Sequence, residues 1–387
     1  MKKIYILALH LAYGGVEKAI CNMANAFAQD YDVEIISMYD MENAPAYLLA
    51  KNVSVRYLLK DTPNRSAFRN ALQRHNPFLI CKEGFKAVKI LFLKKHCLKK
   101  AIREIKDGII ISTRNEDSVL LSKYGNDHVR KIAQLHHDHA FDKRLKDDFQ
   151  KHYQNIDVFV LLCDQLKQEV QQMMEGWNTH TQCVAIPNFL DEIPPICDLD
   201  KKEKICIAVG RLHPIKGFDR MIQAFHQFHA HHPDWCLQIV GDGEEETHLR
   251  SLIHSLDASS YIHLLGAKNS EEIQQLMQKA SLYLMTSHSE GIPFVLLEAM
   301  SCALPMVAYD VRVGPGAVIC DKENGYLIRD NQMDAYVQTL NTIVSDEDLR
   351  KKMSVCAYET VLIYEKQTVL AKWKDILREE CCECSNS

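Results

Sequence analysis

Two successive series of short apolar runs, each alternating with segments whose apolar residues recur every three to four positions, restrict this chain to stacked strand-helix-strand units. The first series has runs at 4–9, 33–38, 109–112, 131–136 and 158–162, with helical spacing between them, as at 17–28 and 164–175. Strands covered on both faces read as continuous apolar runs, and a helix between successive strands makes them parallel. The second series has runs at 205–209, 236–240, 262–265, 282–285 and 306–308, with helical segments near 217–230, 245–257, 271–280 and 293–302. Between the two, residues 189–203 contain Pro194-Pro195 and little periodicity, which reads as a linker. The expected fold is α/β, with two doubly wound, Rossmann-like domains at 1–188 and 204–360 and a helical segment over 347–378.

Composition permits two cores: of 387 residues, 47% are hydrophobic and 25% charged, without disordered or collagenous bias. The 14 cysteines lack zinc-type paired spacing, and no secretory leader precedes the run that begins near Lys3, so reduced thiols in a cytoplasmic protein are expected. In the tail, Cys381-Cys382-Glu383-Cys384 has too few further ligands nearby for a metal site and reads as a frayed terminus. No apolar stretch reaches the ~18–20 residues needed to cross a bilayer, so any membrane role is peripheral.

One apolar run carries carboxylates that need a reason: Ser289-Glu290-Gly291-Ile292-Pro293-Phe294-Val295-Leu296-Leu297-Glu298-Ala299-Met300. Glycine followed by Pro293 at a first helical position opens a helix through Met300, leaving Glu290 in the loop and Glu298 one to two turns inside. A carboxylate among packed side chains is costly unless hydrogen-bonded, and a sugar or ribose diol supplies donors beside a helix N-terminus suited to phosphate. A Glu on a wet face, favoured by the helix dipole, explains the segment alone as well.

The two glutamates, with seven residues between them and followed by Ala299-Met300, resemble the E-x7-E signature of the retaining glycosyltransferases of family 4, which have the GT-B architecture of two Rossmann-like domains facing a central cleft. Further segments match that family in order: Gly14-Gly15-Val16-Glu17, Ile186-Pro187-Asn188, Gly210-Arg211-Leu212 with Lys216-Gly217-Phe218-Asp219, Gly241-Asp242-Gly243, and Asn324-Gly325-Tyr326-Leu327. The resemblance covers about residues 1–375 and is strongest over 204–330. It implies transfer of a hexosyl group from a nucleotide diphosphate sugar, with UDP the base-rate choice, to a saccharide or lipid-linked saccharide, without an essential metal or cofactor. By the same analogy Glu298 binds the ribose hydroxyls, Glu290 the donor sugar, and the backbone amides of Gly291, Ile292 and Phe294 the phosphates. The chain also departs from the pattern: Pro293 has no N–H to donate where many relatives carry a small residue, and Ala317 stands where many carry Glu. The end of the last helical segment, from about 361, is expected to return to the first domain.

Gly210 and Arg211 follow a predicted strand and Lys216 lies in the loop before a helix, where ligands bind in such sheets. Arg offers a planar fork and Lys a mobile charge to one diphosphate. Two basic loop residues are ordinarily solvated surface; the family pattern makes Arg211 and Lys216 diphosphate ligands and places Gly241 near the nucleotide. Gly14-Gly15 follows the opening strand and can fold a loop under a phosphate or acceptor, with Gly15 assigned to the donor. Gly-x-Gly-x-x-Gly is absent, which disfavours a nicotinamide oxidoreductase. In Gln134-Leu135-His136-His137-Asp138-His139, the family places a histidine near the donor sugar; His136 aligns with it, one residue from His137. A metal site there is disfavoured because adjacent strand residues point to opposite faces. The histidines at 226, 229, 231 and 232 suit an exposed helix end.

Residues 82–106 hold a formal charge of +7 in a chain of −5, with Phe85, Val88, Ile90, Leu91, Phe92, Leu93 and Leu98 interleaved. A basic amphipathic segment settles on anionic lipid; a solvated helix covering its own domain is the plainer alternative, and nucleic acid is not expected. Three other functions stay open: a metal-dependent transferase using Asp30-x-Asp32 or Asp198-x-Asp200, a sugar-nucleotide-binding protein without turnover, and a GT-B epimerase.

Overall fold

The computed structural model describes residues 2–41, 45–60, 62–136 and 139–378. The chain forms two compact units: one runs to Ile186 and resumes at Leu370, and the other is Pro187–Val369. The segment 189–203 therefore lies within the second unit, where Phe189 and Leu190 are buried and Leu190 N–H donates to the Tyr364 carbonyl at 3.1 Å. Buried apolar side chains and a backbone hydrogen bond fasten this stretch, which its lack of periodicity marks as an interdomain linker.

Among the described residues of the first unit, seven parallel strands, β1 (Lys3–Ala8), β2 (Asp32–Tyr39), β3 (Val53–Leu59), β4 (Ile109–Ser112), β5 (Arg130–Leu135), β6 (Val158–Leu161) and β7 (Gln182–Ala185), lie in the order β3-β2-β1-β4-β5-β6-β7. Ile4 pairs with Val33 on one side and Ile109 on the other, and all three are fully buried. The order reverses between β1 and β4, which opens a crevice at their carboxyl ends. The strand expected to reach His136 ends at Leu135, and the edge strand β3, absent from the sequence reading, is half-buried and carries Ser54 and Arg56.

The second unit repeats the plan with β8 (Ile205–Val209), β9 (Cys236–Val240), β10 (Ile262–Leu264), β11 (Leu282–Met285), β12 (Met306–Asp310) and β13 (Gly325–Arg329) in the order β10-β9-β8-β11-β12-β13. All its strand pairs are parallel, and Leu237, Ile239, Phe225, Phe228, Leu284 and Tyr336 belong to one core cluster. Its reversal falls between β8 and β11, so the loops after those two strands share one crevice. The helical stretch expected over 347–378 is two helices, Glu347–Val361 and Lys366–Arg378, separated by the 3-10 turn Leu362–Tyr364. The cysteine-bearing tail lies outside the described residues.

Candidate active site

The loops at the β8/β11 crevice bring together two residues 74 positions apart. Lys216 Nζ stands 2.5 Å from Glu290 Oε1, and the Ser287 hydroxyl donates to the same oxygen at 2.5 Å. Glu290 is 7% exposed and Lys216 25%, so the carboxylate is held out of water by one cation and one hydroxyl. Lys216 ends the 3-10 turn Pro214–Lys216, which His213 caps through its ring Nδ1. Arg211 is exposed in the same loop. Close by, the Tyr283 hydroxyl donates to the Val209 carbonyl at 3.2 Å; burial, with Glu290 and Glu298 adding negative charge, pushes its pKa up.

The helix carrying Glu298 is Phe294–Ser301, and Pro293 is its N-cap, with φ −74° and ψ 125°, instead of its first helical residue. Pro293 thus sits where no N–H is needed, and the amides of Phe294 and Val295 head the helix. Ile292 and Phe294 are buried, Gly291 and Glu298 half-buried. The 314–317 loop rests on this turn: a Cβ on Gly314 would come 2.5 Å from Glu290 Cβ and from the Gly291 carbonyl. Only a residue without a side chain allows that approach. After β9, Gly241 lies under the Gly210 carbonyl, and Leu212 N–H donates to the Asp242 carbonyl at 2.7 Å, so this loop braces the one that bears Arg211.

In the first unit, Gly14 caps the helix Gly15–Phe27, and its amide and carbonyl both meet the Tyr47 hydroxyl, at 3.3 and 3.2 Å. The side of Gly15 is open: a methyl added there would have no atom within 4 Å. His136 is 7% exposed just beyond β5 and lines a cavity of about 360 Å³ with Val16, Thr113, Arg114 and Asn115. On the helix that starts at Asn115, Asp117 is buried, and desolvation raises its pKa to about 6. His137, the other histidine considered for the donor, lies outside the described residues.

Several expectations fall elsewhere in the structure. Asp32 opens β2 and pairs with Lys3, Asp30 pairs with Lys374, Asp198 accepts from the Asp200 amide, and Asp200 pairs with Lys351. Neither Asp-x-Asp stands at a strand's carboxyl end. His229 stacks on Tyr261 at 3.5 Å, and His226 shares a 2.6 Å hydrogen bond with the same tyrosine. Among the described residues no group of three His, Cys, Asp or Glu side chains is arranged to hold a metal. Ser287, Tyr283 and Arg220 were not picked out from the sequence, because each takes its place through a partner more than two residues away or on another strand.

Residues 191–360 match the family model of the glycosyl transferases group 1. Over 98% of its length the chain is 28% identical to an exopolysaccharide phosphotransferase of Streptomyces coelicolor, of which it spans 41%. It is 26% identical to an uncharacterized glycosyltransferase of Haemophilus influenzae over 97% of this chain and 100% of that one. The structure of the S. aureus protein TarM in complex with fondaparinux, alpha-GlcNAc-glycerol and UDP superposes with a TM-score of 0.75 at 16% identity, covering 98% of this chain and 100% of that one. The fold is GT-B.

Proposed function

We propose that this chain, a group 1 glycosyltransferase with the GT-B fold, moves a hexosyl group from a nucleotide diphosphate sugar, a UDP-sugar, to a hydroxyl of a saccharide or lipid-linked saccharide in cell-surface polysaccharide synthesis, with retention of anomeric configuration, as in family 4. The observation that carries the reading is the contact of Lys216 with Glu290, at the carboxyl ends of β8 and β11. Without ligand each neutralises the other; a diphosphate arriving at Lys216 and Arg211 takes over the cation and frees the carboxylate for sugar hydroxyls. Arg211, Lys216 and the Phe294–Ser301 helix N-terminus then stabilise the departing diphosphate, the charge that grows in the transition state. These cations supply positive charge without a metal. No enzymatic nucleophile is assigned, since the leaving phosphate can assist attack from the same face. Gly241 braces the nucleotide side, and the family pattern gives His136 and Gly15 to the donor sugar.

The two glutamates are expected to behave differently in calorimetric titrations. Glu298→Gln weakens UDP itself by about tenfold, the scale of one charge-assisted hydrogen bond. Glu290→Gln leaves UDP binding unchanged or tighter, since Lys216 is no longer occupied, while the sugar-bearing donor loses affinity. Equal losses of both ligands in both variants contradict this division.

We further place the reaction at the cytoplasmic face of an anionic membrane. No helix among the described residues is long and apolar enough to span one. The helix Pro77–Glu104, capped by Asn76 and started by Pro77, buries Ile90, Leu98, Ala101 and Ile102, yet Phe78, Phe85, Val88 and Phe92 are 76%, 76%, 66% and 70% exposed. Spacings of seven, three and four put these four on one face, flanked by the exposed Lys82, Lys86 and Lys89. Two other lysines of the +7 segment, Lys94 and Lys99, are engaged internally: Lys94 pairs with Glu116 at 2.9 Å and Lys99 lies 4.5 Å over the Tyr124 ring. With about 1 kcal/mol per basic residue near anionic lipid, three exposed lysines and the aromatic edge give salt-sensitive anchoring. Cosedimentation with phosphatidylserine vesicles should fall when Lys82, Lys86 and Lys89 become Gln, and again at high salt. Equal partition onto neutral vesicles, or none onto either kind, removes this helix from the mechanism.

A further inference from the structure

Arg220 is a buried cation that the transfer chemistry above does not use. Its side chain is 9% exposed on the helix Phe218–His229, and its guanidinium donates to two separate stretches of chain. Nε donates to the Thr286 carbonyl at 2.5 Å and Nη2 to the Ser287 carbonyl at 2.6 Å. Nη1 donates to Asp330 Oδ1 at 2.7 Å and Asn331 Oδ1 at 3.1 Å, beyond the end of β13. The group also lies 4.3 Å from the Tyr309 ring centroid. Taking a guanidinium out of water costs several kcal/mol, and the planar fork here recovers that through four hydrogen bonds at angles no other side chain offers.

Its two carbonyl partners belong to the segment that presents Glu290. Ser287, held by Arg220 through its carbonyl, donates its hydroxyl to Glu290 Oε1. The same segment is tied to the Lys216 loop by the Thr286 hydroxyl, which donates to the Gly217 carbonyl at 2.8 Å, and by His288 N–H to the Ile215 carbonyl at 2.8 Å. We propose that Arg220 is a positioning residue of the donor site: it locks the loop after β11 against the loop after β8, so that Lys216 and Glu290 present one fixed cradle to the nucleotide diphosphate sugar. This rests on the donor-site reading above.

A lysine at 220 keeps the charge but not the fork. Arg220→Lys should lower kcat/KM for the UDP-sugar by about tenfold or more, while a merely structural residue would shift the melting midpoint with kinetics intact in the folded fraction. The deciding measurement is a double-mutant cycle with Lys216→Ala, read in kcat/KM and in UDP affinity by calorimetry. If Arg220 acts through the cradle, most of its effect disappears once Lys216 is gone, since contacts in one network are not additive. Asp330→Asn, which leaves both carbonyl bonds in place, should show a smaller loss with the same coupling, and it carries the cycle if Arg220→Lys does not fold. Additive losses, or normal kinetics in both variants, overturn the assignment to Arg220 alone. Unchanged UDP affinity in Lys216→Ala by itself overturns the donor site and this inference with it.

Discussion

Replacing Lys216 with Ala is expected to cut kcat/KM by about 10- to 100-fold, the equivalent of roughly 1.5–3 kcal/mol of lost charge-assisted stabilisation at the leaving diphosphate. A cation removed from a solvated surface loop would leave folding near normal. The structure changes that expectation. Glu290 is almost wholly buried and keeps only the Ser287 hydroxyl when Lys216 is lost. Truncating one member of a shielded pair is costly because the other charge stays behind. Lys216→Ala should therefore also lower the melting midpoint, and adding Glu290→Gln should restore much of the midpoint but none of the turnover. Four proteins, two measurements each, separate the roles. Wild-type kinetics in Lys216→Ala would sink the diphosphate assignment whatever happens to stability.

Gly241→Ala should be the most disruptive glycine-to-alanine substitution in the second unit. Its φ is +143°, and a Cβ there would lie 1.9 Å from the Gly210 carbonyl oxygen and 2.9 Å from its carbon. Both obstacles are backbone, joined to the ends of β8 and β9, where Gly210 N–H donates to the Val240 carbonyl and Gly241 N–H to the Gly266 carbonyl, each at 2.9 Å. Relief requires pulling the two strand ends apart. Strain at such a position and the lost ladder bonds together should cost about 3 kcal/mol or more. Denaturant unfolding of Gly241→Ala beside Gly15→Ala is the appropriate comparison, because Gly15 has nothing within 4 Å of its added methyl. Similar midpoints for the two would show that the β8 and β9 loops yield more readily than backbone contact allows.

What the sequence made legible is what periodicity and turn residues encode locally. The runs at 109–112, 205–209, 236–240 and 282–285 are strands with those same ends, because each is bounded by a change of pattern. Those boundaries alone put Gly210, Arg211, Gly241 and Glu290 beyond carboxyl ends of strands. The edge strand Val53–Leu59 escaped because Ser54 and Arg56 interrupt it, and half-buried strands need no continuous apolar run. The helix Met333–Ser345 escaped for a related reason, since its buried Tyr336, Leu340 and Ile343 are sparse among polar neighbours. Pairings across the sheet were beyond reach. Nothing near Lys216 signals that its partner is Glu290, and Arg220, set among Phe218, Met221 and Ile222, gives no sign of the carbonyls it will find 66 and 67 residues later.

The route of the chain also sets an order of assembly during synthesis. Trp373, 2% exposed and edge-on to Phe27 at 5.4 Å, and Lys374, 3.2 Å from Asp30, belong to the unit that begins at the N-terminus. That unit leaves the ribosome before the other, yet its last buried aromatic is made about 185 residues after Ile186. The intervening unit, contiguous from Pro187 to Val369, is translated entirely before that seal arrives. Until then the surface around Phe27 is uncovered, so the older half of the nascent chain is the one in need of protection, and a chain stalled before residue 370 leaves the younger half whole and the older one open.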